Sequence, residues 1–555
     1  SALKVQNLTT ATDTYNVAVG DSAGEAVTTG IRNTIMGGLA GDALTDADDN
    51  VAIGQFALST ETTGNKTTAI GTNSLGTQNV AGDSYNVAVG YNAGFAVTTG
   101  LKNTLIGGLA GDSLTTNGLN VVVGYGALST EDTGSRNVAI GVSALSTQNA
   151  DTTNYNVAVG YNAGSAVTTG IQNTLIGGLA GDALTDADGN VVVGRGALTT
   201  DTLGSQTTAI GSRALNAQNF TSATNTYNTA VGADAGLSVT TGQFNTLVGG
   251  LAGDAITDAS GNTAMGYAAL STNTTGEFNT AIGREALEAN LSADNNTAVG
   301  FRAIHSLSTG IKNIAIGNTA LSSETSGSMS VALGYGALEA QNKGGGAVVG
   351  NTALGHNSGN DITTGLNNTF VGYASGDGTD DGSNNTAVGY QALSANCGNS
   401  NTAVGYNSLL ACTGSDNTCV GLQAGTNITS GSNNCAIGHD AGITGSPGGN
   451  MARGSNRLSL GDEDIATFNC QVALTVASDA RDKTDFTALD LGLDFVKAMK
   501  PYTFKWDKRS KYGDKYADDY DLNAQTPDGT HKEDQLDIGF KAQDILALEE
   551  ASNYK

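Results

Sequence analysis

Proline and large aromatic residues are nearly missing from this chain, which has 3 Pro, 1 Trp and 12 Phe in 555 residues. Length alone would suggest several globular domains, but so few rings cannot fill several ordinary cores. With Pro scarce and no Gly at every third position, collagen is excluded. The five cysteines, Cys397, Cys412, Cys419, Cys435 and Cys470, form neither a disulfide framework nor a CxxC zinc pattern. Basic residues are also scarce, with 25 Lys plus Arg against 52 Asp plus Glu and a net charge of -27. A nucleic-acid binder needs a basic face that releases counterions, and anionic membranes repel an acidic surface. Neither nucleic acid nor membrane insertion is therefore expected. No apolar run reaches the length of a spanning helix. The start, Ser1-Ala2-Leu3-Lys4-Val5, has no apolar signal region. Lacking an initiator Met, the chain is expected to be a processed form or a fragment. Charged residues make up only 14% against 39% hydrophobic, which excludes a solvated disordered chain.

Glycine is abundant, at 78 residues, and much of it marks an internal repeat. Asn16-Val17-Ala18-Val19-Gly20 recurs as Asn33-Thr34-Ile35-Met36-Gly37 and as Asn50-Val51-Ala52-Ile53-Gly54, and continues to Asn434-Cys435-Ala436-Ile437-Gly438. Read through Gly334, Gly350 and Gly372 to a degenerate copy at Gly461, the closing Gly appears 26 times, most often 17 residues apart. A period of about 70 overlies this one, with Gly20, Gly90, Gly160 and Gly232 opening groups of four. Seventeen residues are too few for a βαβ unit and suit one coil of a β-solenoid. Two short β segments separated by a Gly corner fit each unit better than a helix does. The residue before Gly is Val, Ile, Leu or Met in every copy and is expected to point into the core. Asn opens 21 of the 26 copies, a column suited to an amide ladder at a corner where Asn tolerates positive φ. At about 4.8 Å per coil, 26 regular coils would form a rod roughly 120 Å long. Coils with Ala and Gly at half their inward sites bury little area, so association of chains is expected.

The phrase Asn-Thr-Ala-Val-Gly-x-x-Ala-Leu resembles the head repeats of trimeric autotransporter adhesins and of many phage tail fibres. The likeness covers roughly residues 10 to 462, with a longer loop per turn than the adhesin heads use. It implies a β-roll of three parallel chains.

After Gly461 the composition changes, with 12 Lys/Arg and 17 Asp/Glu from Ser478 to Lys555, together with Trp506 and two of the three Pro. Phe486, Leu489, Leu493, Val496 and Met499 fall at helical spacing up to Pro501. A strand is read over Tyr502-Thr503-Phe504-Lys505-Trp506, another over Ile538-Gly539-Phe540, and a helix over 542–551. Three ordered motifs, Ser478-Asp479-Ala480-Arg481-Asp482-Lys483, Lys500-Pro501-Tyr502 and Ile538-Gly539-Phe540-Lys541-Ala542-Gln543-Asp544, resemble the endosialidase-type intramolecular chaperone domain that closes many phage tail spikes and fibres. In wording they are closest to fibres of phages infecting marine cyanobacteria. The resemblance implies trimerisation, templated folding of the upstream fibre and release by self-cleavage, with Ser478 as nucleophile and Lys483 as base beside Asp479 and Arg481. A Ser hydroxyl needs a neutral base, and a desolvated Lys beside an Arg supplies one. That family's domain usually continues into C-terminal helices, whereas this chain ends at Lys555, so the helical clamp is expected to be missing.

The expected fold is an all-β fibrous solenoid of ~17-residue coils over 1–465, a connector over 466–477 and a small α+β chaperone domain over 478–555. The expected function is a homotrimeric phage tail fibre, made in the host cytoplasm and carried on the virion. Its partners would be a host-surface glycan or protein receptor and, at the N-terminus, the phage tail or baseplate. No cofactor is expected, and no turnover enzyme beyond a single-turnover serine autoprotease. A bacterial trimeric surface adhesin and a polysaccharide-degrading tail spike remain as alternatives. The spike would need a unique pair of carboxylates, whereas the acids here mostly repeat. Tyr91, Tyr161, Tyr373, Tyr390 and Tyr406 follow corner glycines and could stack on sugar rings or pack between coils or chains. Asp46 and Asp48, or Asp186 and Asp188, could offer oxygens to Ca²⁺, but no EF-hand Glu completes either set. Cys397 and Cys412 lie at nearly equivalent places in adjacent coils and are expected to be free thiols. His305, His356, His439 and His531 sit near no recurring carboxylate or nucleophile and form no triad.

Overall fold

The computed structural model describes residues 1–6, 13–447, 449–469, 492–513 and 524–552, and it divides into two compact units, 1–402 and 403–555. The first unit is a β-solenoid. Each coil gives one three-residue strand, and successive strands are parallel and in constant register, as in Val157↔Thr174, Ala158↔Leu175 and Val159↔Ile176. The stretch after the corner Gly is a hydrogen-bonded turn, not the second β segment expected: Val27 N–H donates to Gly24 O at 3.1 Å, and Gly24 N–H donates to Ala40 O of the next coil at 3.0 Å.

Period-2 alternation in so short a strand leaves one inward position. It is the middle residue, as in Ala18, Ile35, Ala52 and Ala69, and it is fully buried from the second coil onward. The aliphatic residue before Gly faces out, contrary to the expectation that it fills the core. Val19, Met36, Ile106, Ile176 and Met265 are between 38 and 54% exposed. Interior volume is shared within each coil instead. Where the strand centre is Leu105, the ninth residue of the unit is Gly111, and a Cβ there would meet Leu114 at 2.8 Å and Leu105 at 3.0 Å. Where the centre is Ala139, the ninth residue is Leu145, fully buried. Large and small residues thus alternate across the coil to keep it close-packed.

The Asn column forms the expected ladder with different geometry. Asn33 Oδ1 accepts from Asn50 N–H at 3.0 Å, while its Nδ2 donates to Ala47 O at 2.7 Å, which closes its own coil. The residue before each Asn, not Asn itself, takes positive φ, as in Arg32 (59°), Asp49 (62°) and Tyr85 (52°). An Asn amide engaged at one end by the next coil and at the other by its own is held in the strand, so the left-handed turn falls one residue earlier.

Four coils of the first unit are longer, with strand partners 19 residues apart at Thr68↔Val87 and Val138↔Val157 and 21 apart at Thr208↔Thr229 and Val331↔Thr352. The last of these corrects the repeat reading. The corner is Gly355 (φ 144°), after strand Thr352–Leu354, and Gly350 belongs to the inserted loop. Each insertion is anchored by a fully buried carboxylate in the preceding coil: Glu61, Glu131, Asp201 or Glu324. Glu61 accepts from Gly64 N–H at 2.8 Å, Gln78 Nε2 at 3.0 Å and Val80 N–H at 3.1 Å. Gln78 Oε1 in turn accepts from Asn86 at 2.8 Å. Gln148, Gln218 and Gln341 repeat the pairing at 2.9, 2.7 and 3.0 Å. A buried charge is tolerated only when its lone pairs are satisfied, and here its own coil supplies Gly64 N–H while the lengthened coil supplies Gln78 and Val80.

In the second unit, strands Thr418–Val420, Cys435–Ile437 and Leu458–Leu460 continue the same parallel pattern. Helix Gly492–Ala498 agrees with the helical spacing of Leu493 and Val496, while Phe486 and Leu489 lie outside the described residues. Strand Tyr502–Phe504 pairs antiparallel with Asp537–Gly539, each within two residues of the expected bounds. Helix Ala542–Ala551 has the expected bounds.

Candidate interaction surfaces and the C-terminal segment

Because the strand's inward site is taken by its middle residue, the flanking aliphatics form an exposed stripe along the first unit. In that unit ten residues before corner glycines are at least 36% exposed, from Val19 to Val388, joined by Val17, Val121, Val191 and Ile314 two positions earlier. Contiguous apolar surface of this extent marks an interaction site.

Beside the stripe runs the aromatic column. Its residues Tyr91, Tyr125, Tyr161, Tyr267, Phe301, Tyr335, Tyr373 and Tyr390 are all exposed, and in the second unit Tyr406 is exposed as well. Part of the column is a ring stack: Tyr335–His356, His356–Tyr373 and Tyr373–Tyr390 have centroids 4.9, 5.4 and 5.2 Å apart with interplanar angles of 20, 22 and 10°. His356 was hidden by the misplaced corner at Gly350; counted from Gly355, it occupies the aromatic position. At Tyr373 both ring faces are covered by neighbours. Tyr91 and Tyr125 instead have Gly108 between them in the column.

Of the acidic candidates for Ca²⁺, Asp48, Asp186 and Asp188 brace neighbouring coils. Asp48 Oδ1 accepts from Ile31 N–H at 2.8 Å, and its Oδ2 lies 3.8 Å from Arg32. Asp188 repeats the bond to Ile171 N–H at 2.8 Å. Asp46 and Asp186 accept from Thr45 and Thr169 hydroxyls. Two histidines do meet carboxylates one coil away: His305 Nε2 lies 2.9 Å from Glu288, and His439 Nδ1 lies 3.2 Å from Asp462, which raises its pKa. Among the described residues, Glu285, Glu288 and His305 bring ligand atoms within 4.8 Å of one another. Glu285, however, is clamped by Arg302 and Arg284, both at 2.6 Å, which hold its carboxyl below the usual range. Cys397, Cys419 and Cys435 are free thiols, Cys412 Sγ accepts from Asn417 Nδ2 at 3.5 Å, and burial pushes Cys419 up to about 12.

A further column escaped the sequence reading. Asp42, Asp112, Asp182, Asp254 and Asp377 each have one buried carboxylate oxygen without a hydrogen-bond partner. Desolvation raises all five, Asp377 to about 6. Their recurrence after Gly41, Gly111, Gly181, Gly253 and Gly376 was visible, but nothing in the residue type signals the missing partner.

Ser478, Asp479, Arg481 and Lys483 lie outside the described residues. In the described remainder of the C-terminal segment, 492–513 and 524–552, no side chain is buried: Leu493, Val496, Leu536, Ile538 and Phe540 are exposed. Apolar residues without a core of their own suit a segment that completes itself by association. No helix among the described residues is long and apolar enough to cross a membrane.

A family model described as the chaperone of endosialidase matches residues 478–551. No curated protein and no solved structure matches the chain. A long β-solenoid with this domain at its C-terminus fits a tail fibre closed by a chaperone.

Proposed function

We propose that the chain is the subunit of a homotrimeric phage tail fibre that attaches to a host-cell surface, and that its C-terminal domain templates trimer folding and is then released. The observation that carries this reading is the chaperone match, which begins at Ser478, the residue read as nucleophile. The outward aliphatic stripe supports it, because three chains packed stripe to stripe would remove that surface from water. In the cleavage step the Ser478 hydroxyl attacks the carbonyl of the scissile bond as Lys483 takes its proton. The amine leaves with a proton, and water then hydrolyses the ester and regenerates the serine. The connector over 466–477 would leave the solenoid intact after release. Tyr91 and Tyr125, about 10 Å apart along the solenoid at two coil rises, leave room for a sugar ring between them. Tyr161, Tyr373 and Tyr390 extend the same face of the first unit.

Intact mass of the purified protein beside its Ser478→Ala variant, with native mass spectrometry for chain number, tests the reading. The expected result is loss of a C-terminal piece in the wild type only, on a trimeric remainder. A monomer with an unbroken chain in both forms would refute it.

A further inference from the structure

We propose that a hollow on the second four-coil group binds an anionic sugar residue, a pyranose bearing a carboxylate or sulfate. The hollow, about 330 Å³, spans three coils and is lined by Lys102, Thr116, Asn117, Leu119, Ser135 and Arg136, among others. The 70-residue period provides an internal control, because the same place exists in the first and third groups with different chemistry.

In the first group the basic residues are Arg32 and Lys66, and both are neutralised: Arg32 pairs with Asp49 at 2.6 Å and Lys66 with Asp83 at 2.5 Å. In the third group the equivalents are Gln172 and Gln206, which carry no charge. In the second group the cations stay as Lys102 and Arg136 while the acids are gone: Asp46, Asp48, Asp49 and Asp83 become Thr116, Gly118, Leu119 and Thr153. Among the described residues neither cation has a carboxylate at ion-pair distance. Arg136 is held over the Tyr155 ring at 5.4 Å, with Thr153 Oγ1 3.4 Å from its Nη1.

A backbone donor is released at the same place. Ile31 N–H is capped by Asp48 and Ile171 N–H by Asp188, each at 2.8 Å. The counterpart is Leu101 N–H, and the residue that would cap it is Gly118, which has no side chain. A Cβ built on Gly118 would lie 2.9 Å from Leu101 N. This amide has no acceptor among the described residues and borders the hollow. Two cations two coils apart, roughly 10 Å, with an open N–H between them, form a donor set for an anionic group. Hydroxyls and an amide from Thr116, Asn117 and Ser135 match a sugar's hydroxyls, and Leu119, 49% exposed, offers an apolar floor. A free inorganic anion would use the cations and leave the rest of the lining unused.

This assignment deepens the attachment-fibre reading and rests on it for where the glycan comes from. The test is calorimetric titration of the intact protein with α-1,4-digalacturonate, galactose 6-sulfate, neutral digalactose and sodium sulfate, beside the Lys102→Gln/Arg136→Gln variant. Gln at both places is already accommodated in the third group, so the variant keeps the fold. Binding of one or both anionic sugars, at least tenfold tighter than digalactose and weakened at least tenfold in the variant, is the expected result. Equal affinity for digalactose, equal affinity for sulfate alone, or an unchanged variant would overturn it. A variant that dissociates assembled chains would also overturn it, because the anion would then be an acidic loop of a neighbouring copy. Chain number from native mass spectrometry separates the two failures: trimers that bind no anionic sugar refute the site alone, and monomers that bind it refute the fibre alone.

Discussion

Replacing Ile106 and Ile176 together by Lys would discriminate a stripe that packs between chains from one that faces water. Both residues are 38% exposed in the single chain, with side chains directed away from the coil interior. Fully burying an aliphatic side chain contributes about 1.5–3 kcal/mol, so the exposed two-fifths of each stripe residue is worth about 1 kcal/mol on association. Ten such residues before corner glycines in the first unit give ~10 kcal/mol per chain, comparable to the 4–15 kcal/mol cost of immobilising a partner. The margin is small, so a local defect should be felt. An unpaired ammonium forced into an apolar interface costs roughly 3–5 kcal/mol, and a trimer would place three at each level. The double variant should keep wild-type circular dichroism, because each single coil can direct the lysines to water. In sedimentation velocity at micromolar concentration it should run as monomer where the wild type runs as trimer. A double variant that stays trimeric with an unchanged melting temperature would refute the argument.

Two other perturbations probe the coil. Gly177→Ala places a Cβ 2.5 Å from Gly194 O at φ 136°, so it should cost roughly 3 kcal/mol and lower hydrogen-exchange protection in the coils beside it; unchanged protection would contradict the corner geometry. Asp377, raised to about 6 by burial, is bound to its proton more strongly when folded, so its contribution to stability falls as pH rises from about 4 to 6. Asp377→Asn should therefore stabilise by about 1 kcal/mol at pH 8, after discounting for its half exposure, with the gain fading by pH 4; a gain independent of pH would refute the assignment.

The solenoid was legible because its determinants repeat: the corner Gly, the opening Asn and the 17-residue step each gain weight from recurrence. What failed was the direction of side chains. Val or Ile before Gly looked like core because it is the most constant apolar residue. A three-residue strand has a single inward place, however, and a narrow coil fills it mainly with Ala or Leu. Counting also failed where the chain departs from its period. Gly350 follows Val349 and so imitates a corner, and only the pairing of Val331 with Thr352 shows that the loop has four extra residues. The carboxylate–glutamine pairs were readable as Glu or Asp followed by Gln 17 residues later, yet scattered polar residues look like surface until their burial is known. Ser478 and Lys483 lie outside the described residues, and their reading rests on sequence motifs.

The four-coil period explains how one scaffold carries varied surface chemistry. Val97, Leu114, Glu131 and Gln148 occupy the same inward place in successive coils, so the last two form a polar layer inside an otherwise aliphatic column. That layer is costly unless the remaining lone pairs of Glu131 are met, since its own coil supplies only Gly134 N–H at 2.6 Å. The inserted loop removes the cost by supplying Asn154 Nδ2 at 2.9 Å, besides Gln148 at 2.9 Å. In the first unit the carboxylate–glutamine layer and the protruding loop recur together, whereas Asn273 and Asn290 hold the same inward place in 17-residue coils by bonding Gly276 and Ala293 of their own coils. Three of the four loops set an exposed ring at their end, Tyr85, Tyr155 and Tyr227, and the fourth has Gly350 there. Outside this coupling the surface is free to change without disturbing the core. The exchange of Asp48 and Asp49 for Gly118 and Leu119 at the mouth of the second group is a change of that kind: it alters what the surface can bind and leaves Asn120, Val122 and Ala127 fully buried in their places.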